Sequence, residues 1–144
     1  MRQFASFAVL LFFVGAAAAT EYRSVAEQGA ILYDAPSLRA TKLFVVSRDL
    51  PVEVIASDGT WTKVRDSSGG LAWIERKALA EKRTLIVTVP VANVREQTDE
   101  NSRAVFQAEQ GLLLELVETA GAWIRVKHAD GSTGYIRLQQ VWGV

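Results

Sequence analysis

The chain contains the stretch Gly59-Thr60-Trp61-Thr62-Lys63-Val64-Arg65, which recurs 62 positions later (121 − 59) as Gly121-Ala122-Trp123-Ile124-Arg125-Val126-Lys127. Two further blocks repeat at the same offset: Val52-Glu53-Val54-Ile55 with Leu114-Glu115-Leu116-Val117, and Gly69-Gly70-Leu71-Ala72-Trp73-Ile74 with Gly131-Ser132-Thr133-Gly134-Tyr135-Ile136. Self-similarity at a fixed period indicates two copies of one structural unit. Because the offset is constant, these blocks align without an insertion.

The repeated stretch has the alternation of a half-buried strand. Val64 occupies one face in the first copy, and Ile124 and Val126 occupy the same face in the second. The opposite face carries Trp61, Lys63 and Arg65 in the first copy and Trp123, Arg125 and Lys127 in the second. A period of two is typical of antiparallel strands with one buried face. Val64 and Val126 are therefore predicted to point into the core.

Turn residues divide each copy into about five short strands. Ser68-Gly69 and Asp130-Gly131 predict hairpins after the repeated stretch, and Asp58-Gly59 and Ala120-Gly121 predict the turns before it. The opening strands are predicted at Tyr22 to Val25 and at Thr84 to Val89, and a short helical turn between residues 75 and 81. Five strands in about 60 residues predict a small all-β barrel. The fold expected for the whole chain is two tandem barrels.

The N-terminal segment is typical of an export signal. It has a basic Arg2, an apolar run from Phe4 to Val14, and the small residues Ala17-Ala18-Ala19. We expect a signal peptide at residues 1–19, a first domain at 20–80 and a second at 84–144, with an uncleaved anchor as the alternative reading of the segment. The joint Glu81-Lys82-Arg83 contains no Gly or Pro and predicts a tight connection between the units.

Composition excludes several classes of function. Without residues 1–19 the chain has 15 basic residues (16 − 1, for Arg2) against 16 acidic ones. Because these charges are interleaved, the sequence does not predict a nucleic-acid surface. The chain has no cysteine, which excludes disulfides and thiolate metal sites. Metal-binding and phosphate-loop motifs are absent from the sequence, so no cofactor is expected.

The second copy resembles a bacterial SH3-like domain along nearly its whole length. The elements of this family appear in order as Asn93-Val94-Arg95, Gly111, Leu114-Glu115-Leu116, Gly121 to Val126, Asp130 to Ile136, and Leu138 to Trp142. The first copy is more divergent. It has Leu32-Tyr33 in place of Val94-Arg95, Asp49 in place of Gly111, and Ala72 in place of Gly134. Asp tolerates the left-handed backbone better than most residues.

The resemblance implies an exported binding module. Bacterial SH3-like domains are often linked to peptidoglycan, so the expected partner is cell-wall material or an envelope protein, and the expected location is periplasmic or secreted. After cleavage of the signal no membrane span is expected. The competing hypothesis is a structural or assembly role, in which the aromatic residues mainly pack the two barrels together. Fold alone does not decide between them.

Aromatic residues beside basic ones are the candidate ligand site. In the second copy they are Trp123, Arg125 and Tyr135, and in the first copy Trp61, Lys63 and Trp73. An amphipathic ring beside a cation can stack on a sugar or a peptide and bind carboxylates. The alternative for each Trp is packing beneath basic side chains. Tyr33 and Trp142 are predicted to lie at the core edge or between the units, and Glu53 and Glu115 to form cross-strand ion pairs.

Catalysis finds little support in the sequence. A Ser-His-Asp arrangement would need His128 with Asp130 and either Ser132 or Ser102. Close neighbours on one hairpin do not favour that geometry. We therefore expect no enzymatic activity, and we interpret His128 as a turn residue.

Export gives the first testable expectation. Mass spectrometry of the protein from its native envelope should find a mature N-terminus near Thr20, since signal cleavage follows the small-residue stretch. Recovery of a cytosolic protein that begins at Met1 would contradict it.

Overall fold

A computed structural model describes residues 19–144 and contains two antiparallel sheets of seven strands each. Apart from Ala19, the predicted signal peptide lies outside these residues. The first sheet consists of β1 (Tyr22–Val25), β2 (Ala30–Tyr33), β3 (Lys42–Val46), β4 (Pro51–Asp58), β5 (Trp61–Arg65), β6 (Leu71–Glu75) and β7 (Leu79–Ala80). The second consists of β8 (Thr84–Val87), β9 (Val91–Arg95), β10 (Ala104–Glu109), β11 (Leu113–Ala120), β12 (Trp123–Lys127), β13 (Thr133–Arg137) and β14 (Val141–Trp142).

The two sheets have the same topology. The first has the order β3-β2-β6-β5-β4-β1-β7 and the second the order β10-β9-β13-β12-β11-β8-β14. The all-β class and the tandem arrangement are therefore confirmed. Each sheet has seven strands where about five were predicted, because two-residue strands such as β7 and β14 leave no periodicity in the sequence. A single 3-10 turn precedes each of these, at Arg76–Ala78 and at Leu138–Gln140.

Each sheet encloses its own hydrophobic core. Val64 and Val126, in the middle of β5 and β12, are 1% and 0% exposed, which confirms the predicted register. The first core contains Val25, Leu32, Val52, Val64, Ala72 and Ile74. The second is larger and contains Leu85, Val87, Ala92, Val94, Ala108, Leu114, Ile124, Val126 and Ile136. In the first unit the buried Thr62 takes the place of Ile124, which makes this core less apolar.

The backbone explains two of the differences between the copies. Asp49 has a φ of 71° and the matching Gly111 a φ of 89°, so Asp49 adopts the left-handed conformation that the sequence predicted for it. Gly134 is a different case, because a Cβ there would lie 2.7 Å from Cγ1 of Val94 and 2.8 Å from the carbonyl oxygen of Arg95. Close approach of β13 to β9 therefore requires glycine in the second unit, whereas the first unit accommodates Ala72.

The edge strand β3 differs from its counterpart β10. Its residues Leu43, Phe44 and Val45 are 40%, 59% and 73% exposed. In the second unit Phe106 packs against the core, and its ring lies 5.5 Å from that of His128. Asp66 stands at the position of His128 in the first unit and is turned into its own hairpin, where its side chain accepts hydrogen bonds from Ser68 and Gly70. Phe44 therefore lacks the covering ring that Phe106 has.

An aromatic contact joins the two units. The rings of Tyr22 and Trp142 meet edge to face, with centroids 5.3 Å apart. The Arg83 guanidinium lies 5.3 Å from the centre of the Tyr22 ring and donates a hydrogen bond of 3.1 Å to the carbonyl oxygen of Gly143. Burial raises the pKa of the Tyr22 hydroxyl, the Glu53 carboxylate adds to this rise, and the charge of Arg83 opposes it. Trp142 therefore lies between the units, as predicted.

Polar contacts reinforce the same boundary. The Lys82 ammonium lies 3.3 Å from a carboxylate oxygen of Asp49 and 4.0 Å from one of Glu115. The Thr84 hydroxyl donates a hydrogen bond of 2.7 Å to the carbonyl oxygen of Asp49. The joint at residues 81–83 is thus tied to both sheets.

The register can be tested at the centre of the second core. Val126→Asp would place an unpaired charge in a fully buried position, and we expect it to lower the free energy of unfolding by more than about 4 kcal/mol. Val117→Asp is the matched control, because Val117 is 46% exposed on the neighbouring strand. Chemical denaturation measures both. Equal effects of the two changes would show that the register is wrong by one residue.

The boundary between the units predicts cooperative unfolding. We expect one thermal transition for residues 20–144, since each small barrel alone buries too little surface for high stability. Trp142→Ala should lower the free energy of unfolding by about 2–4 kcal/mol through loss of the packed indole. Leu138→Ala, at a 43% exposed residue of the same segment, should change little. Two separate transitions in the unaltered protein would contradict this expectation.

Candidate functional site

In the first unit, the outward faces of four strands bring lysine and aromatic side chains into register. Lys63 on β5 lies opposite Trp73 on β6, Trp73 lies opposite Tyr33 on β2, and Tyr33 lies opposite Lys42 on β3. We call these four residues the lysine–aromatic row. It lies on the face of the sheet opposite to Val64 and Ile74, which belong to the core.

Trp61 extends this row into an aromatic cluster. Its ring meets that of Tyr33 edge to face, with centroids 5.2 Å apart and an interplanar angle of 89°. Tyr33 is only 6% exposed, whereas Trp61 and Trp73 are half-buried. Tyr33 is therefore the base of the cluster and the two indoles form its accessible part. The prediction that Tyr33 lies at the core edge agrees with this position.

The second unit has a narrower arrangement at the matching positions. Arg125 on β12 lies opposite Tyr135 on β13, and Tyr135 lies opposite Arg95 on β9. We call these three residues the arginine–tyrosine row. Arg95 donates a hydrogen bond of 2.9 Å to the carbonyl oxygen of Ser102, and Glu118 is the cross-strand neighbour of Arg125. The cations of this row therefore have polar groups beside them.

Trp123 was predicted to lie on an accessible surface with Arg125 and Tyr135, but its side chain is buried. It is only 8% exposed, and the Arg137 guanidinium lies 4.6 Å from the centre of its ring. Glu100 holds this guanidinium through an ion pair of 2.5 Å. In the first unit Glu75 occupies the position opposite Trp61, so an acidic side chain replaces the covering arginine there. Of the six predicted site residues, Trp61, Lys63 and Trp73 come together most openly.

Sequence reasoning missed three members of these rows. Lys42 and Arg95 were not predicted as site residues, and Tyr33 was assigned to packing. Tyr33 and Arg95 occupy the same position of the repeat (95 − 33 = 62), but a Tyr in place of an Arg gave no sign that both residues face a shared outward surface. Lys42 could not be placed by the repeat, because Ala104 occupies its position in the second copy.

The repeated glutamates are engaged in ion pairs. Glu53 lies opposite Arg65, and their charged groups are 3.2 Å apart, which confirms the predicted cross-strand pair. Glu115 lies opposite Lys127, but its carboxylate approaches Lys82 of the joint instead, at 4.0 Å. The second glutamate therefore contributes to the contact between the units and not to a pair within its own sheet.

The residues considered for catalysis form hydrogen bonds within two turns. His128, Asp130 and Ser132 form one closed turn, and Ser102 belongs to the other. The backbone N–H of Asp130 donates to Nδ1 of His128 at 3.2 Å, and the backbone N–H of Ser132 donates to the Asp130 carboxylate at 2.8 Å. Hydrogen bonds from Ser132, first from its backbone N–H and then from its side chain, hold the pKa of the Asp130 carboxyl below its usual range. The Ser102 hydroxyl donates to the carbonyl oxygen of Asp99 at 2.8 Å. These groups satisfy the backbone of turns.

Residues 19–144 contain neither a metal-binding cluster nor a long apolar helix. Within residues 19–144 no cluster of three or more His, Cys, Asp or Glu side chains could hold a metal ion. No helix in this part of the chain is long and apolar enough to span a membrane. A cleft beside β10 is lined by Phe106, Leu112, His128 and neighbouring polar residues, and it does not include the arginine–tyrosine row.

Comparison with known proteins identifies one family. The family described as "Bacterial SH3 domain" matches this chain twice, at residues 26–81 and 88–143. No curated protein matches the chain.

Three solved structures are similar at low identity. NlpC2 from Trichomonas vaginalis has 14% identity and a TM-score of 0.39 over 86% of this chain and 48% of its own. NlpC1 from the same organism has 15% identity and a TM-score of 0.37 over 94% and 50%. An NlpC/P60 family protein from Bacillus cereus ATCC 10987 has 18% identity and a TM-score of 0.36 over 85% and 56%. The chain thus spans about half the length of each.

Proposed function

The chain belongs to the bacterial SH3 domain family, and on that premise we propose that it is a non-catalytic, exported module that binds cell-wall peptidoglycan or an envelope partner protein. The observation that carries the proposal is the lysine–aromatic row, in which half-buried indoles stand beside lysines on the face away from the core. The arginine–tyrosine row also places an aromatic side chain beside basic ones, on the second unit.

The chemistry of these rows supports binding to cell-wall material. A flat aromatic ring offers an apolar face for stacking and, in Tyr and Trp, a polar edge for a hydrogen bond. Lys and Arg beside the ring can form charge-assisted hydrogen bonds with carboxylates. Peptidoglycan combines sugar rings with carboxylate-bearing groups, so both kinds of contact would be used.

The predicted signal peptide supports a periplasmic or secreted location. A protein without cysteine is compatible with an oxidising compartment, since its stability comes from its two cores and not from disulfides. In the same way, the closed turn around His128 supports a role without catalysis.

A structural or assembly role is the alternative, and a specific observation favours it. Trp142 packs against Tyr22 across the boundary between the units, and Trp123 is covered by Arg137. Two of the large aromatic residues therefore stabilise the protein itself. The competing roles differ in whether the remaining exposed rings affect retention on the cell wall.

Tyr135→Ala tests the proposal at the second unit. We expect the variant to remain folded and to lose retention on purified sacculi by about 5–30-fold, because removal of a stacking ring at a binding centre costs about 1–2 kcal/mol. A sedimentation assay with sacculi measures retention, and circular dichroism measures folding. The control is Leu138→Ala, which changes an exposed residue shortly after β13. Unchanged retention of a folded Tyr135→Ala protein would favour the assembly role.

A further inference from the structure

We propose that the lysine–aromatic row and Trp61 form a binding surface for a glycan whose sugars carry carboxylate groups. This inference rests on the proposed function, and it assigns one class of ligand to the row of the first unit. The surface lies entirely on the first unit, which is the copy that departs further from the family pattern.

The aromatic part of this surface is fixed before any ligand arrives. Tyr33 is only 6% exposed, and the ring of Trp61 packs against it nearly at right angles. Trp73 is positioned between Lys63 and Tyr33 by the pairing of β6 with β5 and β2. Because Tyr33 and Trp61 pack against each other, a sugar that stacks on Trp61 does not have to order its ring first. Rigid indoles suit the flat apolar face of a sugar ring.

The lysines provide the charge complementarity. In the part of the chain that the structure describes, neither Lys42 nor Lys63 has a carboxylate oxygen within 4.0 Å. By contrast, Lys77 is paired with Glu75 and Lys82 with Asp49. Lys63 and Lys42 lie three strand spacings apart, a backbone separation of about 14 Å. Two unpaired cations at the ends of an aromatic row match a ligand whose negative charges are separated by neutral rings.

Neighbouring carboxylates disfavour a densely charged ligand. Asp58 and Glu75 are the cross-strand neighbours of Trp61, and Asp34 follows Tyr33 and accepts a hydrogen bond from the Thr41 backbone. A polymer with a charge on every unit would place several of its anions near these groups. A glycan with spaced carboxylates can direct them at the two lysines, so the charge pattern favours it over an acidic peptide.

The second unit supplies an internal comparison. Arg125 has Glu118 as its cross-strand neighbour, Arg95 is bonded to the carbonyl oxygen of Ser102, and Trp123 is covered. The arginine–tyrosine row therefore offers less unpaired charge and less open aromatic surface. Lys77→Gln is the matched control for changes at Lys42 and Lys63, because Lys77 lies on the same unit, is paired with Glu75 and belongs to neither row.

The test uses the purified protein and peptide-free glycan strands released from sacculi by an amidase, so that the remaining carboxylates belong to the sugars. Binding is measured by calorimetry with native strands, with strands whose carboxylates have been converted to amides, and with poly-glutamate. We expect amidation to weaken binding at least about tenfold, since it removes charge-assisted hydrogen bonds. Poly-glutamate should bind more weakly than the native strands.

Variants assign the effect to this surface. The Lys42→Gln and Lys63→Gln double variant should still bind both kinds of strand measurably but without a preference, whereas a general loss of folding would abolish binding of both. Trp73→Ala should weaken binding of both kinds of strand by a similar factor. Lys77→Gln should retain the difference between native and amidated strands. Circular dichroism and thermal melting verify that each variant is folded.

Each contrary outcome has a defined meaning. Equal binding of native and amidated strands by the unaltered protein, binding of poly-glutamate as tight as that of the glycan, or no binding of the strands would overturn the inference. An undiminished preference for native strands in the double-lysine variant would overturn the assignment to this row. Binding to native strands without retention on intact sacculi would contradict the cell-wall function and leave the ligand class standing.

Discussion

Burial of one valine in the middle of each sheet is the constraint on which the rest of the structure depends. Val64 and Val126 are almost completely removed from solvent, and a strand sends successive side chains to opposite faces. Once these valines point inward, Lys63 and Arg125 must point outward. The pairing of β5 with β6 then sets Trp73 beside Lys63, and the pairing of β12 with β13 sets Tyr135 beside Arg125. Both outward rows are thus consequences of packing the core.

Local pattern was sufficient for some features and not for others. The turn glycines, the strand register and the left-handed Asp49 could be predicted because each depends on a residue and its immediate neighbours. The covering of the Trp123 ring by Arg137 could not be predicted in this way. Arg137 comes from the next strand, and Glu100, which holds its guanidinium, comes from a distant loop. The partner of Glu115 was also unpredictable, because Lys82 reaches it from the joint. Contacts of this kind depend on tertiary packing, which periodicity does not encode.

The two copies have diverged toward different balances of stability and accessible surface. The second has the larger core and uses Arg137 to cover its tryptophan. The first has a smaller core with a buried threonine, and Glu75 replaces the covering cation. Its aromatic residues consequently remain more accessible. After duplication the two copies can therefore differ in role. The second copy has the larger and more apolar core, and the first copy retains more exposed aromatic side chains.

The joint between the sheets has a consequence for avidity. The backbone N–H of Leu116 donates to the carbonyl oxygen of Arg83, Arg83 bonds to Gly143, and Lys82 contacts Asp49, so the joint is anchored along its length. The two outward rows are therefore held at one spacing. For any polymer that contacts both rows, the second contact occurs at an effective concentration set by this geometry and not by a flexible tether. The module would then bind more tightly to polymers whose repeat matches the spacing of the two rows. A polymer with a different repeat would contact one row at a time and would gain no affinity from the second row.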